Sequence, residues 1–86
     1  MSWKVEFTPG AEIDLDWFRK NDKTVYLKCF DLVRSVSKDP FDGIGKPEPL
    51  KHLGPNIWSR RVNLEDRMVY TVGTGIVVVS AFRFHY

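Results

Sequence analysis

Residues 76–86, IVVVSAFRFHY, decide the fold, because this apolar run predicts a long buried strand that ends in polar side chains. Successive side chains of a strand point to opposite faces. One face would carry Val77, Val79, Ala81, Arg83 and His85, and the other would carry Phe82, Phe84 and Tyr86. We therefore expect Arg83 and His85 to project together from one end of this strand, held in place by its apolar residues.

Two more strands precede this one, in the segments IWSRRVNL (57–64) and RMVYTV (67–72). Alternation in the first places Trp58, Val62 and Leu64 on one face and Ser59, Arg61 and Asn63 on the other. The turn EDR joins the two segments, and Arg67 opens the second. In adjacent antiparallel strands, Arg61 and Arg67 are predicted to lie within one small patch.

The beginning of the chain predicts a strand followed by a helix. WKVEF (3–7) alternates apolar and charged residues, which is typical of a half-buried strand. Thr8 can cap a helix over AEIDLDWFRK (11–20), and Pro9 suits its first turn. Acidic residues early in this segment and basic residues late in it match the helix dipole.

A second helix is predicted from residue 23 to residue 37, after a break at the polar positions 21 and 22. Its apolar stripe at helical spacing consists of Val25, Cys29, Leu32, Val33 and Val36. The dipeptide Asp39-Pro40 should end this helix, because proline disfavours helical geometry in the preceding residue. We expect the two helices to form an antiparallel pair.

The chain as a whole predicts a single α+β domain, residues 1–86, with two N-terminal helices packed on one face of a twisted antiparallel sheet. Its 86 residues suffice for one small domain but not for two. Residues 39–55, DPFDGIGKPEPLKHLGP, contain three glycines and four prolines, which predicts an ordered loop with a short strand near Leu50–His52.

Composition excludes several classes of protein. The single cysteine, Cys29, leaves no internal disulfide or cysteine-rich zinc site and favours the reducing cytoplasm. No 18-residue apolar stretch or secretion signal is present, so we expect no membrane association. Residues 1–43 carry seven Lys/Arg against eight Asp/Glu, a net charge of −1, and residues 44–86 carry six against three, a net charge of +3. The basic half suits a polyanion such as RNA, although an ordinary uneven surface explains the count equally well.

The polar residues of the second half form a set that suits the cleavage of RNA. The loop supplies Lys46, Glu48, Lys51 and His52, and the strands supply Arg61, Arg67, Arg83, His85 and Tyr86. A carboxylate can take the proton of the RNA 2′-hydroxyl, cations can hold the phosphorane, and an imidazole can protonate the leaving 5′-oxygen. This chemistry needs no metal, so we expect no cofactor. Each side chain also has an ordinary explanation, such as a solvated surface arginine or a tyrosine that caps the core.

Three segments, PFDGIGKPEPLKH, WSRRVNLEDRMVY and the terminal FRFHY, together resemble the YoeB toxins of the RelE/ParE superfamily of type II toxin–antitoxin mRNA interferases. The match is dense from residue 40 to residue 86. The resemblance implies a microbial-ribonuclease-like fold of the RelE type. It also implies a cytoplasmic toxin that inhibits translation as an endoribonuclease, cutting mRNA in the A site of the 70S ribosome.

The resemblance assigns roles to residues that match its motifs. Glu48 would be the general base, His85 the general acid and Arg67 the main transition-state cation, while Tyr86 would orient the substrate or stack on it. Supporting contacts to phosphate, RNA or the ribosome would come from Lys46, Lys51, Arg61 and Arg83.

The same resemblance implies a partner, an antitoxin of the YefM type whose disordered acidic C-terminal segment folds along the toxin. Toxin homodimers also occur in this family. Two other functions remain open: a ParE-like toxin that inhibits gyrase without cutting RNA, and a non-catalytic module that binds RNA or the ribosome. The acid–base set argues against the first. The second would tolerate loss of Glu48, because removing a negative charge should not weaken binding to phosphate.

Overall fold

The structure is a computed structural model, and it describes residues 2–85. Within these residues, the helices and strands follow one another as β1 (Lys4–Phe7), α1 (Pro9–Asn21), α2 (Lys23–Lys38), β2 (Glu48–Pro49), β3 (Ile57–Arg61), β4 (Arg67–Val72) and β5 (Ile76–Phe84). All the strands belong to one sheet, in the spatial order β1-β5-β4-β3-β2. Neither helix of this described part has the length and apolar character needed to cross a membrane.

The predicted α+β architecture is confirmed, but the sheet is mixed rather than purely antiparallel. β1 pairs in parallel with β5, so that Lys4 lies opposite Ile76 and Phe7 lies opposite Val79. The other neighbouring strands pair antiparallel, as predicted. A parallel pair needs a long crossover connection, which both helices and the other strands supply here. The long strand β5 consequently lies inside the sheet, between β1 and β4.

Both helices begin and end where capping residues predict. The hydroxyl of Thr8 accepts a hydrogen bond of 3.2 Å from the backbone N–H of Ala11 at the start of α1. Asp22 ends α1 and starts α2, because its N–H donates to the carbonyl of Phe18 while its carboxylate accepts from the N–H of Val25. Asp22, in the polar break between the helices, thus caps the end of α1 and the start of α2.

The core lies between the helices and the sheet. The predicted stripe of α2 faces it: Cys29, Leu32 and Val36 are completely buried, whereas Val25 and Val33 are buried only in part. The other buried side chains of this core are Ala11, Leu15, Phe18, Val62, Met68, Tyr70, Val72, Val77, Val79 and Phe82.

β5 does not keep the strict alternation that its sequence suggests. Tyr70 pairs with Val79 and Val69 pairs with Ala81, so Ser80 is an extra residue that bulges from the ladder. As a result, Phe82 rather than Ala81 is fully buried in the core together with Val77 and Val79. The predicted division of faces is therefore correct at the start of β5 and wrong at Phe82, and a second irregularity follows between the pairs Val69–Ala81 and Arg67–Phe84.

Helix α1 replaces a strand along the second half of β5. β1 ends opposite Val79, and the hydroxyl of Thr8 donates to the next carbonyl of β5, that of Ser80. Further along, Oδ2 of Asp14 accepts hydrogen bonds from the N–H groups of Phe82 and Arg83, at 2.9 and 3.1 Å. These contacts satisfy donors on an otherwise unpaired edge.

The short strand predicted near Leu50–His52 forms two residues earlier, as β2. Leu50 is buried, and the backbone N–H of Leu53 donates to its carbonyl at 2.9 Å, which closes a turn. β2 pairs with β3 just before this turn.

Leu64 was predicted to share one strand face with Trp58 and Val62, and this is wrong. β3 ends at Arg61, and the N–H of Val62 donates to the carbonyl of Asp66, which closes a turn. Leu64 lies within that turn and is completely exposed.

Candidate active site

Glu48 and Arg67 form an ion pair on the sheet face that points away from the helices. Nη1 of Arg67 lies 3.0 Å from Oε1 of Glu48 and 3.5 Å from Oγ of the buried Ser59. The strand register explains this contact, since Glu48 and Val69 both lie opposite Ser59 and Arg67 is two residues from Val69. The Arg67 side chain is 18% exposed and that of Glu48 is 51% exposed, so the acid is open to solvent while the cation is largely enclosed.

A cavity of about 250 Å³ lies beside this pair, lined by Arg61, Asn63, Leu64 and Arg67. Arg61 and Arg67 are direct partners in the register of β3 and β4, which confirms the prediction that they lie in one patch. Two arginines that line one cavity repel each other and together attract an anion. The cavity therefore has the charge to receive a phosphate group.

His85 is held by a buried carboxylate that the sequence analysis did not identify. Its Nε2 lies 2.6 Å from Oδ1 of Asp66, a residue only 7% exposed. The second oxygen of Asp66 accepts from Nδ2 of Asn63 at 2.9 Å. Oδ1 of Asn63 in turn accepts the backbone N–H groups of Glu65 and Asp66, at 2.8 and 2.6 Å. The turn that joins β3 to β4 thus fixes the carboxylate of Asp66, and this carboxylate fixes the imidazole of His85.

These two contacts meet at the beginning of β4. Glu48 contacts Arg67, and His85 contacts Asp66, the preceding residue. Arg67 also lies opposite Phe84, which places the following residue of the chain beside this end of β4. The structure therefore brings the acid, the arginine and the imidazole to one region of the sheet.

Arg83 does not project with His85, contrary to the expectation from alternation. Its Cζ lies 3.7 Å from the ring centroid of Trp17 on α1, a cation–π contact. The irregular pairing of β5 before this point redirects the side chain, and Asp14 binds the backbone N–H of the same residue. Its role as a phosphate contact stays a prediction.

The remaining candidates lie in the loop or at the C-terminus. Lys46 and Lys51 are exposed and flank Glu48 in the chain, and His52 is exposed beside Lys51. The roles of Lys46 and Lys51 as contacts to phosphate, RNA or the ribosome stay predictions. Tyr86 lies outside the described residues. Within residues 2–85, no group of three or more His, Cys, Asp or Glu side chains is arranged to hold a metal ion.

Arg60 is the second residue that the sequence analysis missed, and it supports the loop that carries Glu48. The side chain is completely buried and donates five hydrogen bonds. Its acceptors are the hydroxyls of Tyr70 and Ser35 and the backbone carbonyls of Asp39, Asp42 and Ile44, at 2.6 to 3.1 Å. A buried charge needs such partners, and here three of them are backbone groups of one loop.

Close packing completes the support of this loop. A Cβ atom on Gly43 would lie 2.2 Å from Oγ of Ser35, and one on Gly45 would lie 2.8 Å from Leu32. Both glycines have positive φ angles, +127° and +82°. Burial raises the pKa of Tyr70, whose hydroxyl donates to the carbonyl of Pro40 at 2.6 Å. The loop therefore approaches Glu48 as a rigid segment.

Comparison with known proteins gives consistent matches over nearly the whole chain. Residues 7–86 match the model of a family described as the YoeB-like toxin of bacterial type II toxin–antitoxin systems. Toxin YoeB of Synechocystis sp. is 45% identical over 83 residues, which cover 96% of each chain. The YoeB dimer from Staphylococcus aureus has a TM-score of 0.90 and 36% identity, with both chains fully covered. A chain of the heterotetrameric YoeB–YefM toxin–antitoxin complex from the same organism has a TM-score of 0.84 and 36% identity, again with full coverage.

Proposed function

Because the chain belongs to the family of YoeB-like toxins of bacterial type II toxin–antitoxin systems, we propose that it is an endoribonuclease that cuts mRNA codons in the ribosomal A site. The observation that carries this proposal is the contact of Glu48 with Arg67 beside the cavity that Arg61 completes. It combines a solvent-accessible base with two cations at one place. A protein that only binds phosphate has no use for a carboxylate there.

The proposed reaction is attack of the RNA 2′-oxygen on the adjacent phosphorus. Glu48 takes the proton of the 2′-hydroxyl as the bond from the 2′-oxygen to phosphorus forms. The bond from phosphorus to the 5′-oxygen breaks, and His85 gives that oxygen a proton. The products are a 2′,3′-cyclic phosphate and a 5′-hydroxyl. General acid–base catalysis by each group contributes a factor of about 10²–10⁴.

Arg67 and Arg61 act on the phosphorane, whose negative charge increases in the transition state. Arg67 is largely enclosed, and a cation that is already in place needs little rearrangement when the charge develops. Arg61 lines the same cavity and would hold the phosphate as it enters. The mechanism uses side chains of this chain and no metal ion.

The proposed partner that silences the toxin is an antitoxin of the YefM type. The related S. aureus toxin is found in a YoeB–YefM complex, which supports such a partner for this chain. An acidic segment that folds on binding would meet the two arginines of the cavity, and its carboxylates would occupy the place of the phosphate. A homodimer is also proposed, on the basis of the S. aureus YoeB dimer.

The test is to add the purified protein to a translating extract and to map mRNA ends by primer extension. Cuts within A-site codons support the proposal. Glu48→Gln and His85→Ala should abolish detectable cuts while ribosome binding persists. The control is Glu12→Gln, which makes the same chemical change at an exposed position of α1 and should leave cleavage unchanged.

Other outcomes of this experiment would replace the proposal. Intact mRNA together with loss of gyrase supercoiling would indicate a ParE-like toxin. Ribosome or RNA binding without cuts would indicate a non-catalytic binding module. Full cleavage by both variants would remove Glu48 and His85 from the mechanism.

A further inference from the structure

We infer that Asp66 positions the imidazole of His85 so that Nδ1, rather than Nε2, exchanges the proton with the substrate. This inference rests on the proposed function, in which His85 protonates the leaving oxygen. It adds a positioning residue, held by Asn63, that acts on the reaction through His85.

The hydrogen bond itself shows which ring nitrogen of His85 carries a hydrogen atom. A carboxylate oxygen can only accept, so the Nε2 that lies 2.6 Å from Oδ1 of Asp66 must carry the hydrogen. Nε2 is therefore occupied in both the neutral and the charged forms of the ring. The proton that is lost and regained during the reaction must then be the one on Nδ1.

The proton balance of the step follows directly. The charged imidazole of His85 carries hydrogen on both nitrogens, and Nδ1 gives its hydrogen to the 5′-oxygen as the bond from that oxygen to phosphorus breaks. The neutral ring that remains keeps its Nε2–H, which still donates to Asp66. The carboxylate takes no proton and only holds the ring in one tautomer and orientation.

The carboxylate is built into the turn in a way that suits this task. Asp66 is 7% exposed, and its other oxygen accepts from Asn63. Its backbone carbonyl also closes the turn, since it accepts from the N–H of Val62 at 3.0 Å. Contacts with the protein therefore fix both the position and the rotation of the Asp66 carboxylate. By contrast, the His85 side chain is 58% exposed and would rotate readily without this contact.

The test combines kinetics with a spectroscopic measurement on Asp66→Ala and Asp66→Asn. Asp66→Ala should lower kcat for A-site cleavage about 10- to 100-fold, as loss of an orienting partner does elsewhere, with KM for ribosomes unchanged. Asp66→Asn should recover part of this loss, because its amide oxygen can accept the same hydrogen bond. Asp31→Asn, the same change at an exposed position of α2, is the matched control and should retain full activity.

The spectroscopic measurement is ¹⁵N NMR of the imidazole ring, which distinguishes a protonated from an unprotonated nitrogen. In the wild-type protein the neutral ring of His85 should have hydrogen on Nε2 only, whereas Asp66→Ala should show both tautomers. The chain has two histidines, so His52→Gln assigns the signals. Thermal unfolding of each variant separates a local change at the ring from loss of the fold.

The outcomes separate this inference from the proposed function. If the wild-type protein cuts mRNA and folded Asp66→Ala cuts it equally fast, the positioning role is wrong. An unprotonated Nε2 in the wild-type protein would overturn it as well. If the wild-type protein cuts no mRNA but His85 keeps its Nε2–H through Asp66, then the proposed function fails and only the ring placement stands.

Discussion

The guanidinium of Arg67 donates a hydrogen bond of 3.0 Å to the carboxylate of Glu48 across β3, the strand that lies between them. In the proposed mechanism this contact joins the base to the main cation before substrate arrives. A phosphate that enters the cavity would compete with Glu48 for Nη1 of Arg67. In the proposed mechanism, the carboxylate would then accept the proton of the 2′-hydroxyl.

Replacing Arg67 by alanine should slow the chemical step more than it weakens binding. We expect a fall of about 10²–10³-fold in the single-turnover rate of A-site cleavage, because a cation placed at developing charge is lost. Ribosome binding, measured by co-sedimentation, should change by less than about tenfold. The comparison variant is Arg61→Ala, which removes the other guanidinium of the cavity and should affect binding at least as much as rate. A pure binding defect in Arg67→Ala would make this residue a docking contact.

Arg60→Met should destabilise the protein by about 3–5 kcal/mol, because it removes a completely buried side chain that donates five hydrogen bonds. The neighbouring substitution Arg61→Met is the control for stability, since Arg61 is exposed and its loss should change the free energy of unfolding by about 0.5 kcal/mol or less. Urea unfolding followed by tryptophan fluorescence measures both. Equal effects of the two substitutions would contradict the role of Arg60 in holding the loop.

Much of the fold follows from local signals in the sequence. The cap at Thr8, the break between the helices at positions 21 and 22 and most of the apolar stripe of α2 depend on neighbouring residues, and they appear as predicted. The patch of Arg61 and Arg67 was also predictable, because a short turn between two strands sets which residues lie opposite each other.

Other features depend on residues that are distant in the chain. The parallel pairing of β1 and the bulge at Ser80 arise when β5 is matched to two strands at once, so no local pattern predicts them. Arg83, whose side chain lies against Trp17, belongs to a second irregular stretch of the same pairing. The burial of Arg60 could have been predicted from the sequence, because alternation places this residue between Trp58 and Val62 on the same strand face. A charge that is buried on such a face needs hydrogen-bond partners.

Gly43→Ala should destabilise the protein considerably more than Gly75→Ala. Both glycines have positive φ, but the new Cβ at Gly43 would lie 2.2 Å from Oγ of Ser35, whereas nothing lies within 4 Å at Gly75. We expect a cost of about 1–2 kcal/mol at Gly75 from backbone strain alone, and about 3 kcal/mol or more at Gly43 from strain and overlap together. Chemical denaturation gives both values. Similar costs would indicate that the loop adjusts easily around Ser35.

Stability should fall as the pH rises above about 9 because of Cys29. Burial raises the pKa of this thiol from its usual value near 9.0 to about 12. Between these values the unfolded chain loses the thiol proton while the folded chain keeps it, so the unfolded state is favoured by about 1.4 kcal/mol per pH unit. Urea unfolding at several pH values from 8 to 11 should show this slope, and Cys29→Ala should show a smaller one. Because other groups titrate alike in both proteins, parallel curves for the two would exclude Cys29 as the source.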